Sequence, residues 1–366
     1  MIAMRTISWR KLRFRFDWTL TLAMLAIVGL GLVNLWSALQ DRGPQLFSKQ
    51  VSLFGVGFCL FLGVATLDYR TISRWAYLLY GAGVAMLVAV LLFGRVVGGA
   101  RRWFDLGPMH VQPSEGVQLL TVLALGKYLN DWPALEGRTF RHLAIPVAIV
   151  SVPVLLIARQ PDLGTAFLIF LAFLTVMLTA RLKLKTLAAI VGLAVISASP
   201  IWRYGLHEYQ RKRVEALLDP HAAGAWQSRQ ALNAIGSGRF TGKGFLQATQ
   251  IRVRRLPALW TDFPFAVWAE EWGFLGSILV LGAYLFLILW VLKIASEARD
   301  RFGATACVGV AALLFWHVAI NIGMVIGVLP VVGVTLPLIS YGGSSVLTVM
   351  AALGLVMNVS IRRFSY

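Results

Sequence analysis

The chain has 366 residues, of which 58% are apolar and only 14% are charged, and its mean hydropathy is +0.74. This composition excludes an ordinary soluble globular domain and is typical of a polytopic membrane protein. The net charge of +18 could suit nucleic acid, but the basic residues lie between apolar segments. We therefore expect an anionic lipid surface or substrate as the partner, and no nucleic acid.

Ten apolar segments are long enough to be considered as membrane helices, since a bilayer core needs about 20 apolar residues per helix. They cover residues 18–38, 49–67, 74–94, 113–129, 142–158, 163–180, 185–202, 264–293, 304–326 and 341–361. No internal repeat or low-complexity segment interrupts them. The sequence therefore predicts an all-α integral membrane protein whose residues 1–366 form a single domain.

Lys and Arg residues are concentrated in alternate loops, which predicts that both termini lie in the cytoplasm. The basic start leads into a full-length apolar segment without a small-residue cleavage pattern, so we expect a retained first helix. The exception to the charge bias is residues 203–263, which hold ten basic residues on the predicted outer side. A loop of that length can translocate despite its charge, and its basicity suggests a function.

Cysteine and histidine spacing predicts neither a disulfide nor a histidine metal site. Cys59 and Cys307 lie far apart in apolar segments, and the five histidines show no ligand spacing. Two Gly-rich turns, at residues 236–238 and 242–244, resemble a phosphate cradle but lack Walker spacing. We therefore expect no nucleotide, and a flexible cationic turn around Lys243.

Under this topology every even-numbered helix begins at the outer face, and four of these starts carry polar motifs. The motifs are Gln112-Pro113-Ser114-Glu115, Asp162-Leu163-Gly164-Thr165, Thr261-Asp262-Phe263-Pro264 and Ser340-Tyr341-Gly342-Gly343-Ser344-Ser345. Helix N-termini present free N–H groups and the positive end of the helix dipole to anions. The four motifs could therefore build one outer-face site that suits phosphate oxygens.

Each acidic residue in these motifs also has a purely structural interpretation. Glu115 and Asp162 are ordinary first-turn and capping residues, and Asp262 is either a cap or a base whose neighbouring cations keep it ionised. Glu270 and Glu271, inside the eighth segment, are expected to form a structural salt bridge, although carboxylates at such depth are often functional.

Basic and aromatic residues of the outer loops also allow two interpretations. Arg102 and Trp103 are either interfacial anchors or residues that hold a phosphate and stack on a sugar. Residues 209–214 and 227–232 suggest short amphipathic helices on the membrane surface, which contact either anionic lipid or substrate.

Several motifs together resemble the SEDS family of shape, elongation, division and sporulation proteins. They occur in order over nearly the whole chain and comprise Arg102-Trp103-Phe104-Asp105-Leu106-Gly107, Gln112-Pro113-Ser114-Glu115, Gln160-Pro161-Asp162-Leu163-Gly164-Thr165, Tyr209-Gln210-Arg211, Leu218-Asp219-Pro220, Ala234-Ile235-Gly236-Ser237-Gly238, Thr261-Asp262-Phe263 and Pro337-Leu338-Ile339-Ser340-Tyr341-Gly342-Gly343-Ser344. The segment from Gly242 to Gln250 resembles the elongation branch of the family more closely than the division branch.

The resemblance implies a ten-helix peptidoglycan glycosyltransferase that polymerises lipid II at the outer face of the bacterial inner membrane. It also implies a class B penicillin-binding protein and other membrane proteins of the elongation complex as partners. On the matching positions Asp262 would be the catalytic carboxylate. The predicted substrate-binding residues are Arg102, Trp103, Gln112, Glu115, Asp162, Thr165, Arg211, Arg213, Lys243, Tyr341 and Ser344. Glu115 and Asp162 could also hold a divalent cation, Mg²⁺ or Mn²⁺.

Departures from the family pattern keep other functions open. Gln118 stands where the family usually has Lys, and Ala258 and Trp260 replace the usual acidic residue and His. A weakly active scaffold that activates a penicillin-binding protein is one alternative. A transporter of lipid-linked precursors is another, although its polar groups should gather near the midplane on broken helices. A third is another lipid-linked glycan polymerase or ligase.

Overall fold

A computed structural model describes residues 16–40, 44–97, 100–105, 107, 110–132, 140–179, 185, 188, 192, 211–213, 215, 217, 226–249 and 258–363. The described residues form ten helices: α1 (Trp18–Ala38), α2 (Pro44–Thr66), α3 (Tyr69–Phe93), α4 (Pro113–Asp131), α5 (Phe140–Arg159), α6 (Leu163–Thr179), α7 (Trp226–Gly238), α8 (Pro264–Ser296), α9 (Arg301–Val325) and α10 (Gly343–Arg362). Three short strands are β1 (Arg95–Val97), β2 (Ala100–Asp105) and β3 (His110–Val111). The predicted all-α class is confirmed, apart from this small sheet.

Six of these helices, α1, α2, α3, α8, α9 and α10, are long and apolar enough to cross a membrane. Two shorter apolar helices cover Leu143–Arg159 and Leu163–Thr179. The chain is therefore a multi-pass membrane protein, as its composition predicts. The predicted segment 185–202 lies outside the described residues, apart from three isolated positions.

Local sequence signals explain where several helices begin. The carboxylates of Asp17, Asp68 and Asp300 accept backbone N–H groups at the starts of α1, α3 and α9. Such caps satisfy amide groups that have no partner within the helix. Helices α4 and α8 instead begin with proline, which is favoured in the first turn because the N–H it lacks would be unpaired there.

The centre of the bundle is formed by α9 and α10, the two most buried of the six apolar spans. Helix α10 packs closely on α2, and a Cβ atom added at Gly354 would lie 2.7 Å from the carbonyl oxygen of Phe61. Helices α3 and α8 instead expose much of their apolar surface. In a membrane protein these exposed faces suit lipid.

Helix α8 is broken at Gly273, whose φ of 62° and ψ of −157° are not helical. The break frees backbone groups, and residues 239–244 supply their partners. Four backbone hydrogen bonds of 3.0 to 3.2 Å join that segment to residues 270–275. Because both sides of this contact are backbone atoms, these hydrogen bonds hold the loop against the helix.

The Gly-rich turns that the sequence suggests as a flexible cationic segment are in fact packed against this break. Gly242 has a φ of +83°, and a Cβ atom there would lie 2.0 Å from the Glu271 carbonyl oxygen. A Cβ atom at Gly238 would approach the Ala269 carbonyl oxygen equally closely, at 2.0 Å. The expectation of flexibility is therefore wrong, because glycine permits close backbone packing here.

The predicted salt bridge of Glu270 is confirmed, although its partner comes from the loop. Lys243 Nζ lies 2.6 Å from Glu270 Oε1, and the Glu270 side chain is completely buried. Glu271 accepts hydrogen bonds from the Ser37 hydroxyl and the Leu246 amide. Both carboxylates thus hold elements together.

The loop 203–263 is described at residues 211–213, 215, 217, 226–249 and 258–263. Of its two predicted amphipathic helices, the second is confirmed as part of α7, while only residues 211–213, 215 and 217 of the first region are described, each as helical. The buried face of α7, with Ala231 and Ala234, belongs to the same core cluster as α8. One face of α7 therefore packs on protein, while Trp226 and Leu232 are exposed. The position of α7 on the membrane surface stays a prediction.

The sheet lies between α3 and α4. Strand β2 pairs antiparallel with β1, with Trp103 opposite Arg95, and with β3, with Asp105 opposite His110. Arg95 also forms a 2.6 Å ion pair with Asp105. The sheet holds its side chains next to the starts of α4 and α6, where the polar motifs lie.

Candidate active site

A cavity of about 650 Å³ brings together the four motifs at the starts of α4, α6, α8 and α10. Its lining includes all but two of the residues predicted to take part in catalysis or substrate binding: Asp262, Arg102, Trp103, Gln112, Glu115, Asp162, Thr165, Arg213, Tyr341 and Ser344. The sequence prediction that these helix starts meet in one site therefore agrees with the geometry. The roles of the individual residues stay predictions.

Asp262 is positioned by its backbone, which is tied to two other segments. The Asn321 side-chain amide of α9 donates to the Asp262 carbonyl oxygen at 3.0 Å. The neighbouring Thr261 carbonyl accepts from the Ser340 hydroxyl at 2.5 Å. The N-cap of α8 is Phe263, without a side-chain cap bond. The capping interpretation of Asp262 is therefore wrong, and Asp262 lines the cavity.

The replaced neighbours of Asp262 contribute through backbone atoms. The Ala258 carbonyl accepts the amide of Asp262 at 2.9 Å, and the Trp260 carbonyl accepts the amide of Tyr341 at 2.8 Å. Backbone contacts of this kind do not depend on a particular side chain. The loss of the usual side chains at positions 258 and 260 thus leaves the turn that carries Asp262 intact.

Burial raises the pKa of Asp262 above its ordinary value. The Thr261 hydroxyl and the Arg213 guanidinium act in the opposite direction, and Asp162 adds to the rise. The pKa rises because desolvation disfavours the charged carboxylate more than the nearby cation favours it. That neighbouring cations keep Asp262 ionised stays a prediction. A carboxylate with a raised pKa is a stronger proton acceptor once ionised.

Asp162 both caps the start of α6 and lines the cavity. Its carboxylate accepts the Thr165 amide at 3.3 Å and the Thr165 hydroxyl at 3.0 Å, at the start of α6. Gln112 Nε2 donates to the same carboxylate at 3.1 Å. The backbone N–H of Gln112 in turn donates to the Ser344 hydroxyl at 2.9 Å. A chain of hydrogen bonds thus joins the starts of α4, α6 and α10.

Glu115 is 9% exposed and lies in the first turn of α4. Its carboxylate accepts a 3.4 Å hydrogen bond from the side-chain amide of Gln118, a neutral donor. Within the described part of the chain, no group of three or more His, Cys, Asp or Glu residues could hold a metal ion. Glu115 and Asp162 would have to share a cation with substrate oxygens and water, as is usual for Mg²⁺.

Among the residues that the structure describes, four cations line the cavity: Lys49, Arg95, Arg102 and Arg213. Arg102 donates to the backbone carbonyls of Gln160 and Pro161, so it also holds the connection between α5 and α6. Arg213 donates to the Val331 carbonyl at 2.9 Å. The cationic walls, together with the helix N-termini, suit an anionic ligand such as a diphosphate.

Comparison with known proteins now decides the family. The model of a cell cycle protein family named for FtsW, RodA and SpoVE matches residues 13–364. This chain belongs to that family. The SEDS resemblance suggested by the motifs is thereby confirmed over nearly the whole length.

Relatives of this SEDS protein cover almost all of the chain. It is 37% identical to the peptidoglycan glycosyltransferase MrdB of Escherichia coli strain K12, over 97% of this chain and 95% of the relative. It is 29% identical to the peptidoglycan glycosyltransferase RodA of Treponema pallidum, over 95% and 98% of the two chains.

Solved structures of similar proteins agree with this family assignment. A chain of a peptidoglycan synthase complex that coordinates polymerization and crosslinking superposes with a TM-score of 0.83 at 35% identity, covering 96% of this chain and 99% of the other. The rod shape determining protein RodA of Thermus thermophilus superposes with a TM-score of 0.73 at 32% identity, covering 96% and 98%. The similarity therefore extends to the fold as well as to the sequence.

Two predicted substrate-binding residues of this SEDS protein do not line the cavity. Lys243 forms an ion pair with the buried Glu270 and also donates to the Thr249 hydroxyl at 2.9 Å. Its ammonium group therefore stabilises the loop. Arg211 likewise is not among the lining residues, whereas Arg213 of the same short helical segment is. Of the three loop cations predicted to bind substrate, Arg213 therefore lines the cavity, whereas Arg211 and Lys243 do not.

Other lining residues were missed, including Lys49, Arg95, His110 and His317. Lys49 lies in the first two turns of α2, which is itself an even-numbered helix. Extending the search for polar helix starts to α2 would have found it. His317 and Asn321 are polar residues four positions apart in an apolar helix, a spacing that places both on one face. That spacing is the signal that would have found His317.

Proposed function

We propose that this SEDS protein is a peptidoglycan glycosyltransferase that polymerises lipid II into glycan strands during cell elongation. The observation that carries the proposal is Asp262, an acid with a raised pKa held in a cavity that also contains four cations and several helix N-termini. The two relatives described above are named as peptidoglycan glycosyltransferases. A cavity with a buried carboxylate and cationic walls suits sugar transfer from a lipid diphosphate.

In the proposed reaction, Asp262 accepts the proton of the acceptor sugar's 4-hydroxyl. That oxygen attacks the anomeric carbon of the donor, forming the glycosidic bond, and the bond from that carbon to the diphosphate oxygen breaks. The configuration at the carbon inverts, and the lipid diphosphate leaves with the bonding electrons. General base catalysis of this kind needs the carboxylate ionised and within hydrogen-bonding distance of the hydroxyl.

Charge develops on the leaving diphosphate, and the cations of the cavity are placed to stabilise it. Arg102, Arg213 and the N-terminus of α10 at Gly343 would supply hydrogen bonds to phosphate oxygens. Glu115 and Asp162 would orient the acceptor or hold a Mg²⁺ or Mn²⁺ ion, which would add further neutralisation when bound. Trp103 and Tyr341 offer aromatic surfaces to the sugars.

The location and partners follow from the same proposal. Lipid II polymerisation would take place at the outer face of the bacterial inner membrane, with both termini in the cytoplasm. A class B penicillin-binding protein and other membrane proteins of the elongation complex would be the partners. The similarity to a chain of a synthase complex that couples polymerization to crosslinking supports the first of these.

The test uses the purified full-length protein, with and without a class B penicillin-binding protein, and labelled lipid II. Glycan chains are resolved on a gel. We expect chains with the wild type and none with Asp262→Ala or Asp262→Asn, because neither variant can accept a proton. Asp131→Ala is the matched control, since that carboxylate pairs with Lys127 on the surface, away from the cavity. It should retain wild-type synthesis.

The alternatives predict different results. A scaffold would give no chains in any condition, yet it would stimulate crosslinking by the penicillin-binding protein. A transporter would move lipid II between the leaflets of a vesicle without extending it. Full activity of Asp262→Asn would remove the base from the mechanism, because Asn retains the shape of the side chain but not its proton affinity.

A further inference from the structure

His317 is the residue of α9 that lines the cavity, and it is only 6% exposed. The proposed mechanism gives it no part. A polar ionisable residue within a membrane helix is costly unless it is paired or faces an aqueous cavity, and such residues often mark the path of a substrate. The position of His317 in the cavity wall therefore calls for a chemical account.

The hydrogen bonding of the imidazole determines its tautomer. His317 Nδ1 lies 2.7 Å from the Leu313 carbonyl oxygen. A carbonyl oxygen can only accept, so in the neutral ring the proton is on Nδ1 and Nε2 carries a lone pair. Among the described residues, His317 Nε2 has no hydrogen-bond partner. The ring therefore carries an unused acceptor, and its residue lines the cavity.

His317 also lies near the contact between α9 and the backbone of Asp262. Asn321, four residues later on the same face, donates to the carbonyl of Asp262 at 3.0 Å. One helical turn rises about 5.4 Å. His317 thus lies about one turn from the contact that positions Asp262, where the reacting sugars would meet.

An acceptor of this kind selects one part of a lipid-linked sugar. Ionised phosphate oxygens carry no hydrogen and cannot donate to Nε2, whereas sugar hydroxyls and acetamido N–H groups can. On the basis of the proposed glycosyltransferase function, we propose that His317 Nε2 accepts a hydrogen bond from the glycan of the substrate. His317 would then hold the sugar end against α9, while the diphosphate lies at the cationic walls.

The test measures kcat and KM for lipid II with His317→Phe and His317→Gln. Phe keeps a planar ring but no acceptor, whereas Gln supplies an amide oxygen. A substrate contact made equally in the ground and transition states changes KM and leaves kcat. We expect His317→Phe to raise KM about tenfold with kcat within about twofold of wild type, and His317→Gln to restore KM to within about threefold.

Trp316→Phe is the matched control, because Trp316 donates to the Thr175 hydroxyl at 3.0 Å and does not line the cavity. It should leave KM unchanged. If the only role of His317 is the hydrogen bond to the Leu313 carbonyl of its own helix, His317→Phe will lower the melting temperature without changing KM. This result would overturn the proposal. His317→Leu replaces the Phe variant if that one does not fold. A wild-type protein without polymerase activity would instead refute the proposed function.

Discussion

The ion pair between Lys243 and Glu270 fastens the outer loop to the break in α8, and its removal makes a quantitative prediction. The Glu270 side chain is 0% exposed and that of Lys243 is 25% exposed, with 2.6 Å between Nζ and Oε1. Lys243→Met would leave a fully buried carboxylate without its cation. Breaking a buried pair in this way costs about 3–5 kcal/mol.

Partial exposure of Lys243 reduces that value, because water already screens part of the interaction. We therefore expect Lys243→Met to lower the free energy of unfolding by about 2–3 kcal/mol. The double variant Lys243→Met with Glu270→Gln removes both charges. It should lie within about 1 kcal/mol of the wild type, since no unpaired charge stays buried.

The measurement is equilibrium unfolding in mixed micelles of mild detergent and dodecyl sulfate, arranged as a double-mutant cycle. Lys127→Met is the control, because Lys127 forms a surface pair with Asp131 at 3.0 Å on α4. Its effect should stay below about 0.5 kcal/mol. Wild-type stability of Lys243→Met, or a double variant no more stable than Lys243→Met alone, would refute the reasoning.

Two further predictions concern the position and ionisation of Asp262. Because burial raises its pKa and a general base must be ionised, activity should be lost as pH falls through a value above the ordinary 3.8. Arg213→Gln should move this acidic limb of kcat/KM to higher pH, since Arg213 lowers the pKa. Asn321→Ala removes donors to the carbonyls of Asp262 at 3.0 Å and Val334 at 2.6 Å. It should lower the free energy of unfolding by about 2–3 kcal/mol and reduce kcat more than it raises KM.

Each of these two predictions has a control variant. Arg70→Gln removes an exposed cation at the start of α3, away from the cavity, and should leave the acidic limb in place. An acidic limb that moves to lower pH in Arg213→Gln would contradict the assigned electrostatics. For Asn321, Ser52→Ala removes an exposed side-chain bond within α2 and should change neither stability nor kcat. An unchanged kcat in Asn321→Ala would show that Asp262 keeps its position without that amide.

Much of the site could be predicted from local sequence. The motifs at the starts of α4, α6, α8 and α10 all line the cavity, because apolar length and alternating topology determine which helix ends share a face of the membrane. Lys243 and Arg211, by contrast, do not line the cavity. The loop that carries them is basic throughout, so composition contains no signal that separates a cation paired with Glu270 from one that faces a substrate.

The sequence alone determined the membrane class, most of the helices, the family resemblance and the choice of Asp262, since apolar segments, caps and motifs are properties of neighbouring residues. Only the tertiary structure decided that α8 breaks at Gly273, that the loop docks into this break, and that His317 reaches the cavity. It also decided the burial that raises the pKa of Asp262. These features depend on burial and on contacts between residues far apart in the chain, and packing of the helices sets both.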